Sequence, residues 1–336
     1  MTTPIAARND KSDKARGRPS RGPALWQWGA AAAATAALGT AAFNGIRARR
    51  AEQDNPPLGR FLDVDGVKLH YLEKGEGPVV ILLHGNGTMI EDWLASGVFE
   101  RLAETNRVIA FDRPGFGHSG RPRNVVWTPA AQARLIASAL SSLGVTDAIV
   151  VGHSFGAMVA VALGLDHPEV AASLVLIGGY YYPSARLDSV LAAAPAVPLL
   201  GDVIRFTASP LLGAALKKGM ERQIFAPAPI SAGWSDAFPF EMTLRPSQIR
   251  AAAADAAMMV PAAASSSPRL AELRLPVTVI AGSGDKVVAP AGQSERLAGT
   301  LPQSRLIMIE GAGHMVHHTA ADEVAHAVRG EAARPS

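Results

Sequence analysis

Val150-Val151-Gly152-His153-Ser154-Phe155-Gly156 decides the fold. A short apolar run leads into G-x-S-x-G, and an Ala-rich helical stretch, Phe155–Asp166, leads out of it. A serine on so sharp a strand-to-helix turn presents its hydroxyl at the end of a sheet, and the helix N-terminus behind it favours developing negative charge. Side chains two residues to either side would collide with neighbouring backbone, so Gly152 and Gly156 suit the positions. The plainer alternative is a serine capping an ordinary helix.

Outward from this elbow, short apolar runs recur. Phe61–Val64, the turn pair Asp65-Gly66 and the alternating Val67–Leu72 predict a hairpin. Val79–Leu83, Val108–Phe111, Ala148–Val151, Leu174–Ile177, Val277–Ala281 and Leu306–Ile309 predict buried parallel strands. Helical patterns at Pro129–Leu143, Phe155–Asp166, Gly292–Leu301 and Thr319–Arg329 separate them. The fold class expected is α/β, a mostly parallel doubly wound sheet, with core residues 60–182 and 266–330. No strand is legible from 183 to 265, a stretch rich in Ala, Leu, Pro and Met that reads as an inserted helical cap.

In such sheets chemistry gathers beyond the carboxyl ends of the strands. Leu82-Leu83-His84-Gly85-Asn86-Gly87 follows one strand, and its loop predicts an oxyanion-hole amide at Asn86, beside a second at Phe155. Asp285 follows the next-to-last strand, 131 residues past Ser154, a distance that fits a cap plus one strand. His314, in Glu310-Gly311-Ala312-Gly313-His314, follows the last, 29 residues further on. The expected catalytic set is Ser154 as nucleophile, His314 as base and Asp285 as the acid that orients it. His317 and His318 are rivals for the base, while His70, His84, His118, His153 and His167 read as structural. Asp112 and Arg113 read as a pair holding their loop. Trp234, Phe238 and Met242 are candidate substrate-binding residues, with Phe240, Met258 and Met259 beside them; a cap core built from the same side chains is the alternative.

These motifs resemble the α/β-hydrolase superfamily over residues 60–330. H-G-N-G, D-R-P-G-F-G-H-S, G-H-S-F-G and G-A-G-H are similar to its signatures, and the order Ser, Asp, His is the family's. The resemblance implies cap-bearing esterases and lipases, carbon–carbon bond hydrolases or serine haloperoxidase-like enzymes. Epoxide hydrolases and haloalkane dehalogenases carry Asp at the elbow, where this chain has Ser154. The activity expected is cleavage of a carboxylic ester of an apolar small or medium acyl substrate, with no metal and no organic cofactor. Alternatives are a carbon–carbon hydrolase of a vinylogous diketone and a non-enzymatic ligand receptor.

Composition bounds the rest. Of 336 residues, 48% are hydrophobic and 18% charged, enough apolar material for a large core. The absence of cysteine excludes disulfides and thiolate chemistry. Residues 1–50 hold nine Lys/Arg against two acids; 23 basic and 27 acidic residues remain elsewhere, so the body is mildly acidic and no nucleic-acid partner is expected. Residues 1–22 read as a disordered basic leader. Between Arg21 and Arg47 no residue is charged, and Trp26 and Trp28 stand at one end. That predicts a membrane helix over 23–46, with residues 47–59 as a linker. The flanking charges then favour an extracytoplasmic catalytic body. A processed leader or an Ala-rich helix on a soluble cytoplasmic protein are the alternatives, and oligomeric state is left open.

Overall fold

The computed structural model describes residues 1–2, 25–186 and 192–332. It opens with α1, Leu25–Asp54, a helix of 30 residues. Alanine dominates its first half and, although Gly29, Gly39 and Gly45 lie within it, no Pro interrupts it until Pro56, so the helix runs on through Arg47–Asp54. The expected linker is thus helical for most of its length. The expectation of a membrane span fails: no helix among the described residues is long and apolar enough to cross a bilayer. An alanine side chain contributes too little apolar area, and the charge-free run contains few larger side chains. The extracytoplasmic placement that rested on the span loses its basis. The C-terminal half of α1 packs on protein instead. Asn44 and Ala51 are buried, Arg47 pairs with Glu241, and Glu52 pairs with Arg245 at 2.8 Å. The expected disordered leader lies outside the described residues, apart from Met1 and Thr2.

Eight strands follow: β1 Arg60–Val64, β2 Val67–Lys74, β3 Val79–Leu83, β4 Arg107–Phe111, β5 Ala148–His153, β6 Ala171–Ile177, β7 Val277–Gly282 and β8 Ser304–Ile309. They form one sheet in the order β1-β2-β4-β3-β5-β6-β7-β8. β1 and β2 make the expected hairpin, β2 runs antiparallel to β4, and every later pairing is parallel. Alternation along the strands divides the core in two. Ile81, Leu83, Ile109 and Val150 face one layer with α4 (Pro129–Ser142) and α5 (Phe155–Asp166). Val80, Leu82, Val108 and Val151 face the other. That layer holds α2 (Ile90–Ala95), α3 (Val98–Ala103) and the final helix. Covering both faces is what makes the central strands continuously apolar.

Between β6 and β7 the described residues contain no strand. They carry α6 Leu200–Phe206, α7 Ala208–Phe225, α8 Ala232–Ala237, α9 Phe240–Thr243 and α10 Pro246–Ser266. After β7 come α11 Ser294–Thr300, α12 Val316–Thr319 and α13 Ala321–Ala332. The inserted helices are pinned to the sheet by a fully buried ion pair, Arg113 Nη1 to Asp255 Oδ2 of α10 at 2.7 Å. Arg113 also donates to Gln132 Oε1 and to the carbonyls of His84 and Gly85, so its charge is hydrogen-bonded on all sides. The expected Asp112–Arg113 pair does not form. Asp112 instead takes the Nδ1 of His70 at 2.7 Å and the backbone amides of Ile90 and His118.

Candidate active site

Ser154 stands between β5 and α5 at φ 52° and ψ −116°. Its N–H donates to Ile177 O at 2.8 Å, which ties the elbow to β6. The glycines around it are demanded by close backbone. A Cβ on Gly156 would come within 2.1 Å of Leu83 O, and one on Gly152 within 2.4 Å of Gly156 O. The serine Oγ lies 3.0 Å from His314 Nε2, and His314 Nδ1 lies 2.8 Å from Asp285 Oδ2. With Nδ1–H donating to the carboxylate, Nε2 carries the lone pair that accepts the serine O–H. Asp285 is held in turn by the Val287 and Val288 amides, both on Oδ1.

His314 reaches the serine because its loop is gripped by the cap. Its N–H donates to Ile224 O of α7 at 3.0 Å, as the Met315 amide does at 3.2 Å. The sequence places Ser154, Asp285 and His314 on three separate loops; the fold brings all three together. Phe155 opens α5, so its amide is among those with no intrahelical acceptor. The loop carrying Asn86 abuts the elbow: a Cβ on Gly85 would lie 3.4 Å from that of Ser154. The Asn86 side chain donates to Ala252 O of α10, tying this loop to the cap.

The rival histidines point elsewhere. His317 and His318, on α12, both donate from Nε2 to Asp92 Oδ1, at 3.0 and 2.8 Å. Asp92 was not singled out from sequence. Burial would raise its carboxyl, but the two histidines outweigh that and hold it well below the usual range. His153 lies between His314 and His317, at ring-centroid distances of 4.9 and 4.3 Å. Burial lowers its basicity and that of His317, keeping both neutral. Asp92, His153 and His317 bring ligand-type atoms within 4.8 Å of one another, the donor set of a transition-metal site. The two imidazoles of His317 and His318 share Asp92 Oδ1 and so tie the segment after His314 to α2, while Asp92 Oδ2, His153 Nδ1 and His317 Nδ1 are buried with no hydrogen-bond partner. His84 donates structure too: its Nε2 accepts the Arg113 amide, and burial followed by the Arg113 charge pushes it down to about 4.

A cavity of about 470 Å³ opens beside the loop that carries Asn86. Asn86, Gly87 and Thr88 line it, as does Ile224, whose carbonyl holds the His314 amide. Trp234 and Phe238 stack in its wall at 3.8 Å and 11°. Phe240 lines it as well, whereas Met242 does not: it is fully buried in the cap core with Phe225 and Leu244. Met258 lines a separate cleft and Met259 joins the main core. Ser154 and His314 are not part of the lining; the cavity borders them through Asn86 and Ile224.

Comparison with known proteins gives this geometry a context. A 2-hydroxymuconate semialdehyde hydrolase of Pseudomonas putida is 33% identical over 150 residues, 44% of this chain and 53% of that protein. The chain therefore spans about half the length of that relative. A 2-hydroxy-6-oxo-2,4-heptadienoate hydrolase of Pseudomonas putida strain F1 is 27% identical over 266 residues, covering 78% of this chain and 91% of the relative. The crystal structure of an enol-lactonase from Burkholderia xenovorans LB400 superposes with a TM-score of 0.67 at 21% identity, over 82% of this chain and 100% of that one. The family described as alpha/beta hydrolase fold matches residues 78–321, from the start of β3 to the start of α13, and the chain belongs to that family.

Proposed function

We propose that this chain is a serine hydrolase that cleaves a carboxylic ester with an apolar small or medium acyl group. The observation that carries the reading is the line Ser154 Oγ, His314, Asp285, with both contacts at hydrogen-bond distance. Ser154 Oγ attacks the carbonyl carbon while His314 Nε2 takes its proton. The amides of Phe155 and Asn86 receive the oxyanion at the N-terminus of α5. As the tetrahedral intermediate collapses, His314 returns the proton to the departing alcohol, leaving an acyl-Ser154 ester. Water then attacks that ester with His314 again as base, releasing the acid and free Ser154. Asp285 holds the imidazole in the required tautomer. The cycle draws on three side chains, two backbone amides and water. Trp234, Phe238 and Phe240 would receive the acyl chain.

A second reading is favoured by the names of two relatives, both hydrolases of ring-fission-type products. In it the same serine and histidine cleave a carbon–carbon bond of a vinylogous diketone that bears a carboxylate. The deciding experiment is turnover of a p-nitrophenyl ester series by the full chain, with Ser154→Ala in parallel. Ester turnover that disappears in the variant is the expected result, and the best chain length then sizes the cavity. A folded protein inert on every ester but active on a dienone acid would replace the first reading with the second.

A further inference from the structure

Among the described residues lining the 470 Å³ cavity, Glu221 of α7 is the one with a formal charge. The rest of the wall is apolar or neutral: Leu212, Leu216, Met220, Leu244, Ile249 and the stacked Trp234–Phe238 pair supply most of it. The Glu221 side chain is 11% exposed, and its Oε1 accepts the Trp234 indole N–H at 3.0 Å. Lys217, one turn earlier, stands 3.9 Å away but is 43% exposed and does not line the cavity. Its charge is the more strongly screened by solvent of the two.

Four polar side chains of the wall each already donate once. Asn86 Nδ2 donates to Ala252 O, Gln248 Nε2 to Gly87 O, Thr88 Oγ1 to Gly85 O and Thr243 Oγ1 to Phe240 O. Ser209 adds one hydroxyl. An anion entering this space would exchange water for a fixed like charge and few donors, which disfavours its entry.

We infer that the cavity accepts uncharged acyl chains and rejects chains that end in a carboxylate, with Glu221 as the residue that enforces the choice. This rests on the ester reading for its chemistry, but the binding preference stands apart from turnover. It also separates the two readings above, since a dienone acid brings the charge that Glu221 opposes. Glu221→Gln keeps an acceptor for Trp234 and removes the charge.

The experiment has two arms. In the first, the full chain is assayed with p-nitrophenyl hexanoate and with the p-nitrophenyl monoester of adipic acid, which differ by a terminal carboxylate. The neutral ester should be favoured roughly a hundredfold in kcat/KM, and Glu221→Gln should narrow that ratio at least about tenfold. Lys217→Met should widen it. A wild-type ratio near unity, or a ratio that Glu221→Gln leaves in place, overturns the inference. In the second arm, Ser154→Ala protein is titrated calorimetrically with hexanamide and with adipamate, the monoamide of adipic acid, which carries a carboxylate at the far end of the same chain. Hexanamide should bind roughly tenfold more tightly, with the difference lost when Glu221→Gln is added. If no ester turns over but this preference holds, the ester chemistry fails and the charge selection stands. If adipamate binds as tightly as hexanamide, the charge selection fails, whatever the turnover.

Discussion

Ser154 occupies positive φ, a region that costs a non-glycine residue roughly 1–3 kcal/mol and persists only where the surroundings impose it. Here they do: Gly152 and Gly156 let the chain turn against β3, and the Ile177 carbonyl fixes the serine amide. Gly156→Ala should therefore lose soluble, folded protein, because its Cβ would meet backbone oxygen rather than a side chain that can move aside. Asp285→Asn is the sharper test of chemistry. Its Oδ1 contacts to the Val287 and Val288 amides can survive, while the partner of His314 Nδ1 changes from acceptor to donor or neutral acceptor. The expected outcome is a kcat lower by about 10³–10⁴ with little change in KM or melting temperature. A variant with more than a tenth of wild-type kcat would remove Asp285 from the proposed mechanism. These residues were legible because each sits in a short motif directly after an apolar run. Asp92 and Asp255 were not. Their partners lie 225 and 142 residues away, and nothing local marks an aspartate as the acceptor of distant histidines or of a buried arginine.

At the scale of elements, the strands could be read because burial on both faces leaves unbroken apolar runs. Their starts were set late: β6 begins at Ala171 and β8 at Ser304, where polar or small residues already pair in register. The N-terminal helix was misread for a related reason. Absence of charge over 25 residues is a statement about length, whereas crossing a bilayer depends on apolar area per residue. Its docking was hidden because Asn44, a polar residue in an alanine field, gives no sign of its partners. Asn44 is 2% exposed and its Nδ2 donates to Phe206 O and Thr207 O, both at 2.9 Å, where α6 passes into α7. These are helix-terminal carbonyls that would otherwise lack a donor. Asn44→Ala should cost about 1–2 kcal/mol and expose the α6–α7 junction. Limited proteolysis would read this as faster cleavage near residues 206–208. An unchanged cleavage pattern and melting temperature would show that α1 does not brace the cap.

For the molecule as a whole, burial of titratable groups sets how stability responds to pH. Glu91, on α2 between Asp112 and Arg245, has its carboxyl pushed up to about 8, first by burial and then by the negative charge of Asp112. The unfolded chain releases that proton near the ordinary value of 4.5. Between these limits the folded state binds more protons than the unfolded one, so Glu91 makes stability fall as pH rises from about 4.5 to about 8. The buried histidines act in the opposite sense. His84, His153 and His317 are all lowered by burial from 6.5, so the unfolded chain gains protons there first, and stability is lost as pH falls below 6.5. For His84 that loss is complete near its folded value of about 4. Half-buried His118 is lowered too and adds to the same side. Below 6.5 several histidines outweigh one glutamate; above it Glu91 acts alone among the shifted groups that titrate near neutrality. Stability should therefore peak near pH 6.5 and decline towards pH 8, by about 2 kcal/mol at most over that interval. Glu91→Gln mimics the protonated carboxyl and cannot ionise. It should abolish the decline above pH 6.5, leave the acid limb in place and make the variant more stable than wild type at pH 8. Thermal melts of both proteins from pH 5 to 9 measure this. A variant whose melting temperature falls as steeply above pH 6.5 as the wild type's would mean that Glu91 is already ionised in the folded protein, with Arg245 rather than burial setting its charge.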